Sequence, residues 1–301
     1  MSILFNSFEE WKAFCREHNQ KLYEPVIAYE IDQKGRTEEE IWVGLKKNYQ
    51  VMTEAVETGL KETMKSRSGM INDGGKKVYN FHKPLLSAEF QKLIARALAA
   101  KEVNSCMGRV VAAPTAGASG IIPGVIYTLQ ENHDIEERKI LEGLLVAAGI
   151  GLIIEKEASI AGAVGGCQAE TGSAGAMASG AIVYCAGGDI DQVFNAVAIT
   201  IQCVLGLVCD PVAGLVEIPC VFRNASAAAI AYSSAQIALA DVSPVLPVDE
   251  CVGAMGEIGQ SMEERYKETA LGGLAATPTG KKIANKILIR DIDILPDQNE
   301  S

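Results

Sequence analysis

From Thr37 to Lys65 the chain reads TEEEIWVGLKKNYQVMTEAVETGLKETMK, with apolar residues at helical spacing, no proline, and only Gly44 and Gly59 as interruptions. Such a run specifies one long helix, and Thr37 followed by Glu40 has the capping-box form that starts one. Ser7 followed by Glu10 has the same form before WKAFCREH, and a third helix begins near Ser87 and runs through AEFQKLIARALAAKEV. Strand signals are sparse: VVAAP, Val110 to Pro114, and AIVYC, Ala181 to Cys185, fit either a strand or a helix. After Cys106 the Ala and Gly content rises, which suits buried helices whose small side chains let backbones approach. The expected fold is mostly α: one compact multi-helix domain over residues 1–301, with Gly/Ser/Thr-rich loops. Residues 1–36 would form an N-terminal helical extension, and the acidic tail 292–301 would fray.

With 301 residues, 48% of them hydrophobic, the chain can bury a large core. A formal net charge of -11 repels phosphate backbones and anionic lipid, so neither nucleic acid nor a membrane is expected as a partner. The apolar run VFNAVAITIQCVLGLVC, Val193 to Cys209, falls short of the roughly 20 residues a bilayer needs. It also carries Asn195, Thr200 and Gln202, so a buried helix is the better reading. In ILEGLLVAAGIGLIIEK, Glu142 breaks an even shorter run. The opening MSILFNSFEEWKAFCREHNQ has no basic and apolar signal pattern, so a cytoplasmic chain is expected. In that reducing compartment its eight cysteines are available for burial, metal binding or catalysis rather than disulfides.

Chemistry concentrates in four loops rich in Gly, Ser and Thr: SRSGMINDGGK (Ser66 to Lys76), PTAGASGIIPG (Pro114 to Gly124), VGGCQAETGSAGAMASG (Val164 to Gly180) and GGLAATPTGKK (Gly272 to Lys282). Loops of this kind bind anions through backbone N–H groups, yet tight turns and helix packing explain any one of them equally well. None matches the P-loop or the dinucleotide fingerprint. Cys167 lies in the third loop among glycines that would expose it. Cys209 precedes an Asp-Pro turn and Cys220 follows Pro219, which puts both at helix ends, whereas Cys203 in TIQCVLG reads as core. No C-x-x-C pair occurs, so the spacing by itself leaves zinc, a cluster and plain burial open. Glu170 and Thr171 could touch a substrate, although a helix-start carboxylate accounts for Glu170 as well. Turn capping accounts for Asp210. His18, His82 and His133 each sit in a polar context that reads as surface.

Four stretches, GGCQAETGSAGAM, CDPVAGLVEIPC, APTAGASGIIP and ETALGGLAATPTG, resemble the iron-sulfur-dependent L-serine dehydratases, specifically their alpha chain, over about residues 40 to 290. The resemblance implies that Cys167, Cys209 and Cys220 are the three ligands of a [4Fe-4S] cluster with one iron left open. It implies conversion of L-serine to pyruvate and ammonia without pyridoxal phosphate. Ser66, Ser68 and Gly69 of the first loop, with Thr115, Gly117, Ser119 and Gly120 of the second, are the candidates for holding serine. The family's Ser-Ser-His-Thr motif belongs to its beta region and is missing here, so the resemblance implies a beta chain that supplies the base, whose identity stays unknown. Two other readings remain open: a lyase releasing sulfide from L-cysteine, and an iron-sulfur sensor subunit without catalysis.

Overall fold

The computed structural model describes residues 5–292, and among them thirteen α-helices follow one another without a strand. Helix α1 (Phe8–Glu17) starts where Ser7 Oγ accepts the Glu10 amide at 3.1 Å. The Glu10 carboxylate takes the Asn6 amide instead of that of Ser7, so the expected capping box is only half made. After α2 (Tyr23–Lys34), Thr37 and Glu40 complete the full box at the head of α3 (Glu38–Lys61). That helix stops short of the expected Lys65. Beyond it Asp73 captures the Met64 amide at 2.5 Å and Lys65 pairs with Asn72, which folds the chain back on itself.

Next come α4 (Gly74–Tyr79) and α5 (Ala88–Ser105), the latter capped by Ser87 as its sequence requires. Residues 110–114 adopt neither helix nor strand. Helices α6 (Ile121–His133), α7 (Glu137–Ala158) and α8 (Gly162–Gly165) lead to a π-type turn, Gln168–Gly172. The turn runs directly into α9 (Ser173–Cys185), which resolves the ambiguous Ala181 to Cys185 as helix. The described chain is completed by α10 (Ile190–Val204), α11 (Cys220–Leu239), α12 (Val248–Ser261) and α13 (Pro278–Ile292). Of the tail expected to fray, 293–301 lie outside the described residues.

Two helices organise the rest. Every residue of α9 is buried, as a sequence of Ala, Gly, Ser and aliphatics without a polar face demands, and α6, α7, α10 and α11 surround it. Helix α5 is the second hub, packed by α3, α4, α6 and α11, so α6 and α11 bridge the two. The first two helices join the main core: Phe8 and Trp11 are fully buried and pack against Phe194 of α10. Inside α7, Glu142 escapes an apolar burial penalty by accepting the Tyr184 hydroxyl at 2.9 Å. Among the described residues no helix is long and apolar enough to cross a membrane. Cys203, read as core, is exposed on α10, because it falls on the outer side of that helix while Thr200 and Ile201 face inward.

Close approach onto α5 depends on missing side chains. A Cβ at Gly59 of α3 would lie 2.6 Å from the Ala99 carbonyl carbon of α5, whereas a Cβ at Gly44 of the same helix would meet nothing within 4 Å. The same substitution is therefore expected to act with opposite signs. Gly44→Ala should stabilise by up to about 1 kcal/mol through helix propensity. Gly59→Ala should destabilise by about 1–3 kcal/mol because overpacking outweighs that gain. Urea unfolding of the two variants reads the difference, and equal shifts would refute the close packing.

Candidate functional site

Cys167 stands at the start of the π-type turn, only 1% exposed, with its Sγ 2.9 Å from Thr171 Oγ1. The expectation that flanking glycines expose it fails for a physical reason. They serve close packing: Gly166 has φ +75°, and a Cβ there would sit 2.6 Å from Met262 Sδ. Gln168 locks the turn in place. Its amide donates to the Leu207 carbonyl at 2.9 Å, its Nε2 donates to the Met255 carbonyl at 2.9 Å, and its Oε1 accepts the Gly206 amide at 2.9 Å.

Cys209 is held by its backbone, not by a helix end as its Asp-Pro neighbour suggested. Its amide donates to the Tyr266 carbonyl at 2.8 Å and its carbonyl accepts the Glu268 amide at 2.9 Å. Cys220 does open a helix, α11. One turn on, Asn224 Nδ2 donates to the carbonyls of Cys220 at 2.9 Å and Gly117 at 2.8 Å, while its Oδ1 accepts the Gly120 amide at 2.8 Å. Asn224 thereby ties the second Gly-rich loop to Cys220.

The other loops arrive by similar ties. Glu217 Oε2, close before Cys220, accepts the hydroxyls of Ser66 at 2.7 Å and Ser68 at 2.5 Å, and Gly69 closes that first loop by donating to the Ser66 carbonyl at 3.0 Å. From the fourth loop, Leu274 donates its amide to Asp210 Oδ2 at 2.7 Å. Arg223 grips Asp210 Oδ1 and the Val208 carbonyl, both at 2.7 Å. The first, second and fourth loops picked out by composition thus meet the Cys209 to Cys220 segment or the residues that flank it, and the third is tied through Gln168 to Gly206 and Leu207 just before it. Arg223 and Asn224, which help to join them, and Lys101, which ties α5 to the Val216 carbonyl, carry no motif in the sequence. Arg223 and Asn224 lie three and four residues after Cys220, and Lys101 interrupts a small apolar run, which are the only local signals they carry.

Electrostatics around the thiols follow from burial. Burial, and then the neighbouring Cys167, push Cys220 up to about 12, with Lys101 and Arg223 pulling the other way. Cys209 is raised by burial first and then by Cys167, with Cys220 also contributing, and Cys167 is raised by burial. The three thiols therefore lie within electrostatic reach of one another, and none is in a disulfide. Lys101, fully buried, is lowered by burial and supported by Cys220, Glu170 and Glu217. Its Nζ donates to Asn104 Oδ1 at 2.7 Å, Ser105 Oγ at 3.1 Å and the Val216 carbonyl at 2.8 Å.

Glu170, 9% exposed, is raised by burial, and Thr115 Oγ1 donates to its Oε1. Gly117 makes room for it: both Glu170 oxygens would clash with a Cβ there. Ser119 Oγ and Ser173 Oγ are buried with no hydrogen-bond partner among the described residues, an arrangement that leaves two hydroxyls able to serve a bound molecule. All three histidines are exposed, as their polar contexts suggested. Among the described residues no three Cys, His, Asp or Glu side chains converge to hold a single metal ion.

The family model described as Serine dehydratase alpha chain matches residues 17–275. The chain is 44% identical over 288 residues to "L-serine dehydratase, alpha chain" of Peptoniphilus asaccharolyticus, covering 95% of this chain and 99% of that one. It is 40% identical over 287 residues to "Probable L-serine dehydratase, alpha chain" of Bacillus subtilis (strain 168), covering 94% and 95%. A third relative, "L-serine dehydratase" of Streptomyces coelicolor, is 40% identical over 282 residues, which make up 90% of this chain and 60% of that longer polypeptide.

Proposed function

The chain belongs to the serine dehydratase alpha chain family, and from that premise we propose that it is the alpha half of an L-serine dehydratase whose [4Fe-4S] cluster is held by Cys167, Cys209 and Cys220. The observation that carries this reading is that three buried, unpaired thiols lie on a segment and a turn to which the Gly-rich loops are tied. The donor set fits such a group, since soft thiolates flanked by cations suit iron and sulfide better than a hard ion. When bound, a cluster with one iron free of protein ligands supplies Lewis acidity toward the serine hydroxyl.

The chain's own residues account for the rest of its share. Lys101 and Arg223 offset the charge of three thiolates, which burial alone disfavours. Thr115, Gly117, Ser119 and Gly120 form a loop against the site, and the orphan Ser119 hydroxyl supports its use on a substrate oxygen. Ser66 and Ser68 spend their hydroxyl protons on Glu217, which supports a role in holding the loop that carries Gly69 rather than a direct grip on the serine carboxylate. L-Serine loses its α-proton and hydroxide, the resulting aminoacrylate tautomerises to an imine, and water hydrolyses that imine to pyruvate and ammonia.

None of the three exposed histidines is bonded to a site residue, which supports a base supplied by a separate beta chain. The longer Streptomyces relative, matched over 60% of its length, supports the same division, with the remaining part of the enzyme carried here on a second polypeptide. Assay of anaerobically prepared alpha chain with and without the beta chain tests the proposal. Cluster binding without turnover is expected from the chain alone, and pyruvate from L-serine once the two are combined. Vigorous turnover by the chain alone would refute the division of labour, and inactivity of the combined chains would refute the function.

A further inference from the structure

L-Serine is a zwitterion, so a buried site that takes it must answer an ammonium as well as a carboxylate and a hydroxyl. Four acidic side chains surround the thiols. Asp210 has both oxygens engaged, by Arg223 and by the Leu274 amide. Glu217 is bound by two serine hydroxyls and reaches Lys101 rather than the thiols. Glu268 is exposed, so water screens it. Glu170 differs from all three. It is nine-tenths buried, and it lies within electrostatic reach of Cys167, Cys209, Cys220 and Lys101 together. Thr115 fixes its Oε1, and its Oε2 makes no hydrogen bond among the described residues. The carboxylate packs directly on the backbone of Gly117, filling the space that a Cβ there would take, which fixes its position against the second loop.

We infer that Glu170 is the residue that recognises the substrate ammonium, and hence the residue that makes the site selective for α-amino acids over 2-hydroxy acids of the same shape. The inference rests on the proposed function. Thr115 is the positioning residue: its hydroxyl orients the carboxylate so that Oε2 faces the substrate. An ammonium arriving beside Oε2 adds a second cation to Lys101 near this buried carboxylate, which couples binding to charge rather than to shape.

Glu170→Gln keeps the volume and an acceptor for Thr115 while removing the charge. In the combined alpha–beta enzyme it is expected to raise the KM for L-serine roughly 10- to 150-fold, the fold-change belonging to a hydrogen bond with a charged group. Turnover at saturation should fall less than about tenfold, because the reacting atoms keep their environment. Glycerate, which has serine's carboxylate and terminal hydroxyl but a hydroxyl in place of the ammonium, is the probe. Its inhibition constant should stay level or improve in the variant, so that the preference for serine over glycerate collapses. Thr115→Val should weaken serine in the same sense by a smaller factor, and it stands in if Glu170→Gln does not fold. A serine-to-glycerate preference unchanged in either variant would overturn the assignment, as would a parallel weakening of both ligands. Serine turnover by the unmodified enzyme is what the proposed function requires, so the two ideas fail on different measurements.

Discussion

Cys209→Ala is expected to leave the anaerobically reconstituted chain without its iron, with content falling from about four atoms per chain and the cluster absorption lost. The reason is that the ligand cannot be replaced by a neighbour. Both backbone polar groups of Cys209 are committed, the amide to Tyr266 and the carbonyl to Glu268, so its Cα is fixed. A Cβ at Gly162 would already lie 3.2 Å from the Cys209 sulfur, which leaves no room for another side chain to move in. Serine turnover by the combined chains should drop by at least about a thousandfold, the factor that several kcal/mol of lost Lewis-acid stabilisation represents. Cys203→Ala is the matched control, since Cys203 is exposed on α10 and is expected to change neither iron nor rate. Full iron in Cys209→Ala would remove Cys209 from the ligand set and the cluster proposal with it.

The second large effect is structural. Arg223→Met should destabilise the metal-free chain by about 3–5 kcal/mol, the cost of leaving a buried charge without its partner. Asp210, whose side chain is 4% exposed, would keep only the Leu274 amide, and the Val208 carbonyl would lose its donor as well. Neutralising the acid tests the cause. Asp210→Asn combined with Arg223→Met should be less damaging than the sum of the single changes, with a coupling of about 1–3 kcal/mol in denaturant unfolding. Strict additivity would mean that Arg223 stabilises by packing alone. Because the measurement is made without metal, it separates the charge pair from any contribution to cluster binding.

Helix starts were legible where the signal is local. Thr37 and Ser87 cap as their sequences dictate, since an N-cap needs only a hydroxyl and an amide three residues on. Ser7 shows the limit: the competing Asn6 amide took the Glu10 carboxylate, and nothing in the four-residue pattern excludes that choice. The end of α3 falls short of Lys65 because Asp73, which lies beyond the helix, reaches back to Met64.

Burial of single residues was the least legible feature. Cys203 and Cys167 exchanged their expected environments, one judged by an apolar run and the other by adjacent glycines. An apolar run does not say which side of a helix faces the core, and glycine marks close approach as readily as exposure. Lys101 is illegible for the same reason. A lysine in a helix reads as solvent-facing until Asn104, Ser105 and the Val216 carbonyl are seen to take its three protons.

By itself the sequence determined the helical class, the family, the three candidate thiols and the four loops worth watching, because periodicity, motifs and composition are properties of contiguous residues. Only the tertiary structure decided that those loops share one site and that Asn224, Arg223 and Glu217 tie them to the cysteine segment. It also decided that Glu170 is the acid with an oxygen to spare. Charge environment and burial are set by neighbours that the chain brings from a hundred residues away, and no local pattern encodes that distance.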